Sequence, residues 1–428
     1  MQNLVTAAGY SPFLSATGQR IRDEVAELVP LIRKNALAGE RAGVVPEETV
    51  LALQRTGLFR VSVPLQHGGF ALGARDLAEI LAEVARGDGS TAWITMIASG
   101  FARVMLTFAD SAVADVYRAS AEWPGPIVAG ASLFSEKIQR GSRVDGGYIV
   151  HAGGKWAFGS GCKHAAFVCV GIEYEAAPGD RKRGMALLER GQFTIVDDWK
   201  VMGLSASSSN SVATAADVRI PEDRFMPLAE FPARLDSIAG RFGGPGYRLN
   251  GLGLMLYVAM ETMAITLGMA RGALECFVEQ AKARKPFNLP YDRLADMPSM
   301  QVAGAKARAT ISAAQALIYA RADELDKRAS DGRAISPAED SEFMMDFAYA
   351  GSLCGQAIDQ LQLAIGSSTV AESNPIQRFA RDTRVALTHG STRLDPVAEV
   401  NGRSMLGLPS LSGFGAAVPG VPGGPKAP

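Results

Sequence analysis

From residue 18 to about 115, apolar side chains recur every third or fourth position, as in IRDEVAELVPLIRKNAL at 21–37. That spacing places them on one face of a helix. The stretch PEETVLALQRTGLF at 46–59 opens on a proline suited to a first helical turn. A helical N-terminal domain is therefore expected over residues 1–125. Between 126 and about 219 the period shortens. The runs IVAGAS, GYIVHAGG, AFVCVGIEY, GMALLE, FTIVDD and TAADVRI are separated by Asp-Gly-Gly, Pro-Gly-Asp and Ser/Asn clusters, which predicts a central β-sandwich or barrel domain over 126–235. The helical period then returns in three long Ala-, Leu- and Met-rich segments at 252–282, 301–328 and 342–365. Such segments suit a C-terminal four-helix bundle over 236–408. They carry more apolar surface than one subunit of this size covers, so a subunit interface is expected there. Residues 409–428 are rich in Gly, Pro, Ala and Ser and read as a flexible tail.

Composition narrows the function classes. With 428 residues and 47% apolar content the chain has room for a buried cofactor. A formal net charge of −1 gives no reason to expect nucleic acid or an anionic membrane as partner. Cys162, Cys169, Cys276 and Cys354 form no CxxC pair, and four histidines give no local metal framework. The start lacks a signal-peptide pattern, and the most apolar later stretch is interrupted by Glu261 and glycines. A cytoplasmic location is expected.

Several strings, taken in order, resemble the acyl-CoA dehydrogenase superfamily: VPLQHGG at 63–69, ARGDGSTAW at 85–93, WKVMGLSASSSN at 199–210, VRIPEDR at 218–224 and RFARDTRVALTHGST at 378–392. The likeness runs from about residue 20 to 407 and implies an α+β fold of that type. In the last string Arg381-Asp382 aligns with the family's Arg-Asp, which puts His389 at its tyrosine and Gly390 at its catalytic glutamate. Proton abstraction from carbon needs a positioned base, and glycine offers none. Some relatives carry the base on a bundle helix instead, and Glu261 in VAMETMAIT is a candidate for it. His389, Asp395 and GRSMLG at 402–407, together with GGKWAFGSGCKHAAFVCVG at 153–171, resemble instead the two-component flavin-dependent monooxygenases of the p-hydroxyphenylacetate hydroxylase type.

That branch implies reduced FMN or FAD delivered by a separate NAD(P)H-dependent flavin reductase, dioxygen as co-substrate, a flavin C4a-hydroperoxide that hydroxylates an aromatic or polycyclic molecule, and a homotetramer. The resemblance assigns flavin contacts to Ser132, Trp156, Phe158, Ser160 and Ser209, and catalysis to His389. An imidazole there would steady the peroxide or assist a phenol's deprotonation. From pattern alone Trp156 and Phe158 read rather as strand core and the serines as turn formers, and it is the resemblance that reverses this. His164 and His151 receive no such support, and His151 reads as the end of a strand. Phenol hydroxylases of the branch carry a histidine in the helix after STAW. Here ITMIASGFARVMLTF at 94–108 has none and shows Phe101 and Arg103. Phe101 and Arg248 are the substrate-side candidates. The missing histidine leaves open a less acidic ring such as an indole, or N- or S-oxygenation of an amine or sulfur centre. A dehydrogenase with bound FAD is the competing class, opposed by Gly390 and by IGSSTV at 365–370. No metal site is expected.

Overall fold

The computed structural model describes residues 13–131, 133, 139–390, 392–409 and 411. Ser132 and nearly all of the expected tail lie outside the described residues. Five helices come first: α1 (Ala16–Ala42), α2 (Glu47–Arg55), α3 (Ala74–Gly87), α4 (Gly89–Met105) and α5 (Asp110–Ala119). Local chemistry sets their ends. Ser15 caps α1, its hydroxyl accepting from Gly18 N at 3.0 Å and donating to Asp76 at 2.6 Å. Asp88 caps α4, accepting from Thr91 N and Oγ1, each at 2.8 Å.

The middle region holds β1 (Val128–Ala131), β2 (Gln139–Val144), β3 (Gly147–Val150), β4 (Lys155–Trp156), β5 (Phe167–Ala177), β6 (Asp180–Glu189), β7 (Thr194–Ile195), β8 (Val212–Ala213), β9 (Val218–Pro221) and β10 (Phe225–Pro227). Its larger sheet runs β10-β6-β5-β2-β3-β9, and β1 also lies on β5. β4, β8 and β7 form a small second sheet. β5 is central, paired along its length with β6 and in parallel with both β1 and β2. That explains its unbroken apolar run. β2 escapes a reading by pattern because QRGSRV has no apolar alternation. Its pairing with β5 and β3, not its side chains, makes it a strand.

After α6 (Phe231–Asp236) come α7 (Gly251–Ala283), α8 (Pro298–Asp331), α9 (Pro337–Ile365), α10 (Pro375–Leu387) and α11 (Leu394–Met405). α9 starts on a capping box of Ser336 and Glu339, with Pro337 in the first turn. α7 is long and apolar enough to cross a membrane, but 83% of its most apolar window is buried inside the fold, so its apolar character belongs to the core. It packs on α3 at backbone distance: a Cβ on Gly268 would stand 2.1 Å from Ala82 O. One apolar core joins α1, α3, α7, α8, α9 and α10, and a separate one around Trp156, Tyr148 and Phe225 fills the β-region. All four cysteines are free and buried.

Candidate active site

Four segments distant in sequence meet at one buried chain of hydroxyls. Trp93, one turn into α4, donates its indole N–H to Ser160 Oγ at 3.2 Å. Ser160 Oγ lies 2.8 Å from Ser209 Oγ, which lies 2.8 Å from Ser207 Oγ. Backbone ties this together, since Gly161 N donates to Ser207 O at 2.9 Å and Gly159 N to Asn210 O at 3.0 Å. The fourth segment follows α10. There the His389 ring meets the Trp93 ring edge-on, with centroids 5.8 Å apart. Desolvation holds the His389 imidazole below its ordinary pKa, which favours the neutral ring, although the residue as a whole is exposed and water limits the effect.

Backbone strain gathers at the same place. Phe158, Leu204 and Ser208 all take left-handed conformations, with φ of 58°, 52° and 54°. For a bulky aromatic such a φ costs on the order of 1 kcal/mol or more. Phe158 is nevertheless 66% exposed and meets Trp199 edge-on at 6.0 Å. The strained residue thus presents an apolar ring to the outside, two residues from Ser160. Trp156 does the reverse. It is 1% exposed, its Nε1 donates to Gly171 O at 2.7 Å, and its ring packs over Gly154. It braces the strand beneath Ser160 from the β-region core.

The other sequence-selected residues fall as follows. The half-buried Phe101 ring sits directly on the β1 backbone, where a Cβ on Gly130 would collide with it. Arg248 is exposed on the turn before α7, and nothing among the described residues draws it into the serine chain. His151 follows β3 and bonds Ser142 Oγ at 2.7 Å through Nε2. His164 is largely buried and neutral, its pKa pushed down to about 4 by burial and then by Arg190 and Lys163. Among the described residues, a Cβ on Gly390 would meet nothing within 4 Å, and the residue offers no base.

Glu261 is occupied. It is wholly buried, accepts from Ser99 Oγ at 2.7 Å, and pairs with Arg103 at 2.9 Å. Burial raises its pKa, and Arg103 and Ser99 oppose that rise. Arg103 in turn lies 4.3 Å above the Tyr257 ring. A carboxylate held this way is a partner for a buried cation. Sequence reading noticed both residues but not that one neutralises the other, because 158 positions separate them. Trp93 was missed as a site residue for a similar reason: its string signals a helix, and only the fold brings it to Ser160.

Comparison with known proteins agrees with this geometry. The profile of the acyl-CoA dehydrogenase N-terminal domain matches residues 15–117, and that of the C-terminal domain matches 261–393. The oxygenase component of FADH(2)-dependent resorcinol hydroxylase from Rhizobium sp. (strain MTP-10005) is 30% identical over 403 residues, covering 91% of this chain and 94% of its own. The chain belongs to the oxygenase components of two-component, reduced-flavin-dependent monooxygenases, on the acyl-CoA dehydrogenase fold. As such an oxygenase component it works with a separate flavin reductase. The p-hydroxyphenylacetate 3-hydroxylase oxygenase component of Acinetobacter baumannii is 24% identical, covering 92% of this chain and 90% of its own. Among solved structures, the HsaA monooxygenase from M. tuberculosis superposes with a TM-score of 0.78 at 27% identity, covering 92% of this chain and 98% of its own. XiaF from Streptomyces sp., solved with FADH2 and glycerol, reaches 0.83 at 24% identity, covering 92% and 97%.

Proposed function

We propose that this oxygenase hydroxylates an aromatic or polycyclic small molecule at the site defined by Trp93, Ser160, Ser209 and His389, using FADH2 or FMNH2 and dioxygen. Reduced flavin with dioxygen supplies the oxygen atom, and the protein's task is to bind, orient and keep the site dry. The observation that carries the reading is the convergence of the serine chain, Trp93 and His389 beside a glycine in the dehydrogenase glutamate's place.

The donor set suits an isoalloxazine edge. Ser160 and Ser209 offer hydroxyls that both give and accept, and Phe158 offers an exposed ring. Trp156 supports this surface from behind, and Ser132 is assigned here by resemblance alone. His389, neutral and at the edge of Trp93, holds or moves a proton at the reacting end. On the substrate side, half-buried Ile97, Phe101 and Val104 share one face of α4, where Gly100 looks onto Val258 of α7 at 3.6 Å. This face is apolar and, among the described residues, offers no partner to a phenolate. It favours a flat ring of low acidity, as in the indole-3-acetate monooxygenase of Acinetobacter baumannii, 25% identical over 367 residues. The same face favours a second reading, oxygenation at an amine nitrogen or sulfur, which needs no deprotonated substrate. Arg248 is a candidate for a substrate carboxylate at the rim. A homotetramer built through the bundle is assigned by resemblance alone.

The test is oxygen-isotope labelling with reduced flavin regenerated by an added reductase and a panel of phenols, indoles and thiophenes. One atom of labelled dioxygen is expected in the product. Reoxidation of reduced FMN and FAD at their free rates, with no label in any compound, sinks the proposal.

A further inference from the structure

We propose that the buried Asp382 carboxyl is a positioning group for this site, fixing the serine loop, the start of α4 and the end of α10 relative to one another. The inference rests on the flavin-site reading above. Three of the four segments that deliver a site residue meet at this one side chain. Oδ1 accepts from Leu204 N at 2.6 Å, and Leu204 leads in three and five residues to Ser207 and Ser209. Oδ2 faces the first turn of α4, where a Cβ on Gly89 would lie 2.8 Å from it, and Trp93 is one turn further on. Asp382 itself sits in α10, two turns before His389.

The packing leaves no slack at this junction. A Cβ on Gly203 would stand 2.6 Å from the Arg381 carbonyl and 2.9 Å from Asp382 N, so the loop lies on the α10 backbone itself. Leu204 is held left-handed there, and Trp199 Nε1 donates to its carbonyl at 3.1 Å. A shift of Asp382 is therefore passed to all three segments and not absorbed in a void.

The surrounding charges are unbalanced. Asp88, the N-cap of α4, faces the group, as do Arg378 and Arg381 from α10, and Glu40 from α1 lies against both arginines. Arg378 Nε is 3.7 Å from Asp88 and its Nη1 4.0 Å from Glu40, while Arg381 pairs with Glu40. Three carboxyls thus share two guanidinium groups in a dry region. Among the described residues, Asp382 Oδ2, Arg378 Nε and Glu40 Oε2 are buried without a hydrogen-bond partner. One proton resolves the surplus, and burial with Asp88 alongside pushes Asp382 up to about 7. A neutral acid keeps the Leu204 bond and relieves its repulsion with Asp88, whereas ionisation sets two carboxylates against each other across the first turn of α4.

The test uses flavin-free protein for amide hydrogen exchange and protein titrated with reduced FMN for affinity. In Asp382→Ala, exchange is expected to rise at least tenfold together in 203–210, 88–94 and 383–389, with at least tenfold weaker reduced-FMN binding. In wild type, exchange of these segments beyond its intrinsic pH dependence is expected to climb between pH 6 and 8. Asp382→Asn, which still accepts from Leu204 N but cannot ionise, is expected to abolish that climb and to stay within threefold of wild type at pH 6. A rise confined to 203–210 in the alanine variant overturns the proposal. Should that variant fail to fold, an asparagine variant with the wild-type pH profile overturns it equally. Ser160→Ala separates the two readings: weakened reduced-FMN binding there with none in Asp382→Ala overturns the positioning role alone, and unchanged binding in both overturns the site.

Discussion

Replacing Glu261 by glutamine tests the assignment of the one carboxylate that could have made this a dehydrogenase. Glu261 is 0% and Arg103 3% exposed, and they meet at 2.9 Å. Removing one member of such a buried pair leaves the other charge uncompensated, a loss of about 3 to 5 kcal/mol. Arg103 would retain Ser99, Ser62, the Tyr257 face and a neutral amide oxygen in place of the carboxylate. Arg103→Met should cost a similar amount, by stranding the carboxylate. In the double variant neither charge remains and the substituted amide oxygen still accepts from Ser99, so the loss should be at least about 2 kcal/mol smaller than the sum of the singles. The assay is denaturant unfolding of the three variants, read as midpoint shifts at constant slope. A glutamine variant as stable as wild type would mean that Glu261 carries its own proton, and the ion-pair argument would fail.

Three further outcomes follow from the geometry. Phe158→Gly relieves a left-handed φ of 58° at an exposed position, so stability should hold or rise by up to about 1 kcal/mol while reduced-flavin binding weakens; a flavin titration beside an unfolding curve checks both. His389→Ala should cut product formation about 100-fold with flavin affinity changed less than threefold, the lost turnover appearing as hydrogen peroxide; full coupling in this variant removes His389 from catalysis. Stability should peak on the acid side of neutrality. Burial raises Asp326 to about 6 and Asp382 to about 7, so each binds a proton the unfolded chain has released and lowers stability from pH 4 towards 7 by at most about 1.4 kcal/mol per pH unit per proton, a fall that an opposing histidine, His164, lowered to about 4, offsets only in part. Below pH 4 the trend reverses, because hydrogen bonds from Ser336 and the Arg328 guanidinium hold Glu339 down at about 2. Unfolding midpoints at unit pH steps would expose a flat profile if these shifts are absent.

The order of helical and β segments was legible because helix and strand periods differ and because α7, α8 and α9 are long enough to average out local exceptions. β2 was not, since its polar residues follow no buried pattern. At the site, Ser160, Ser209 and His389 could be chosen from strings that the fold does bring together. Trp156 reads in those strings as a ring for the cofactor, yet the structure sets it in the β-region core, and Phe158 carries the exposed ring. Sequence distance hid the Arg103–Glu261 pair and the meeting of Asp88, Asp382 and Glu40, because charge neutralisation across a core leaves no periodic trace.

The four buried cysteines bear on durability. An oxygenase that handles dioxygen and leaks peroxide whenever a turnover aborts is exposed to its own by-product. Peroxide attacks the thiolate and not the thiol, and burial pushes all four thiols up, Cys162 to about 12 although it lies only two residues from Ser160. The catalyst therefore carries reduced sulfur next to an oxidising reaction in a form that the leaked oxidant attacks slowly, and many uncoupled cycles should pass before sulfur chemistry inactivates it.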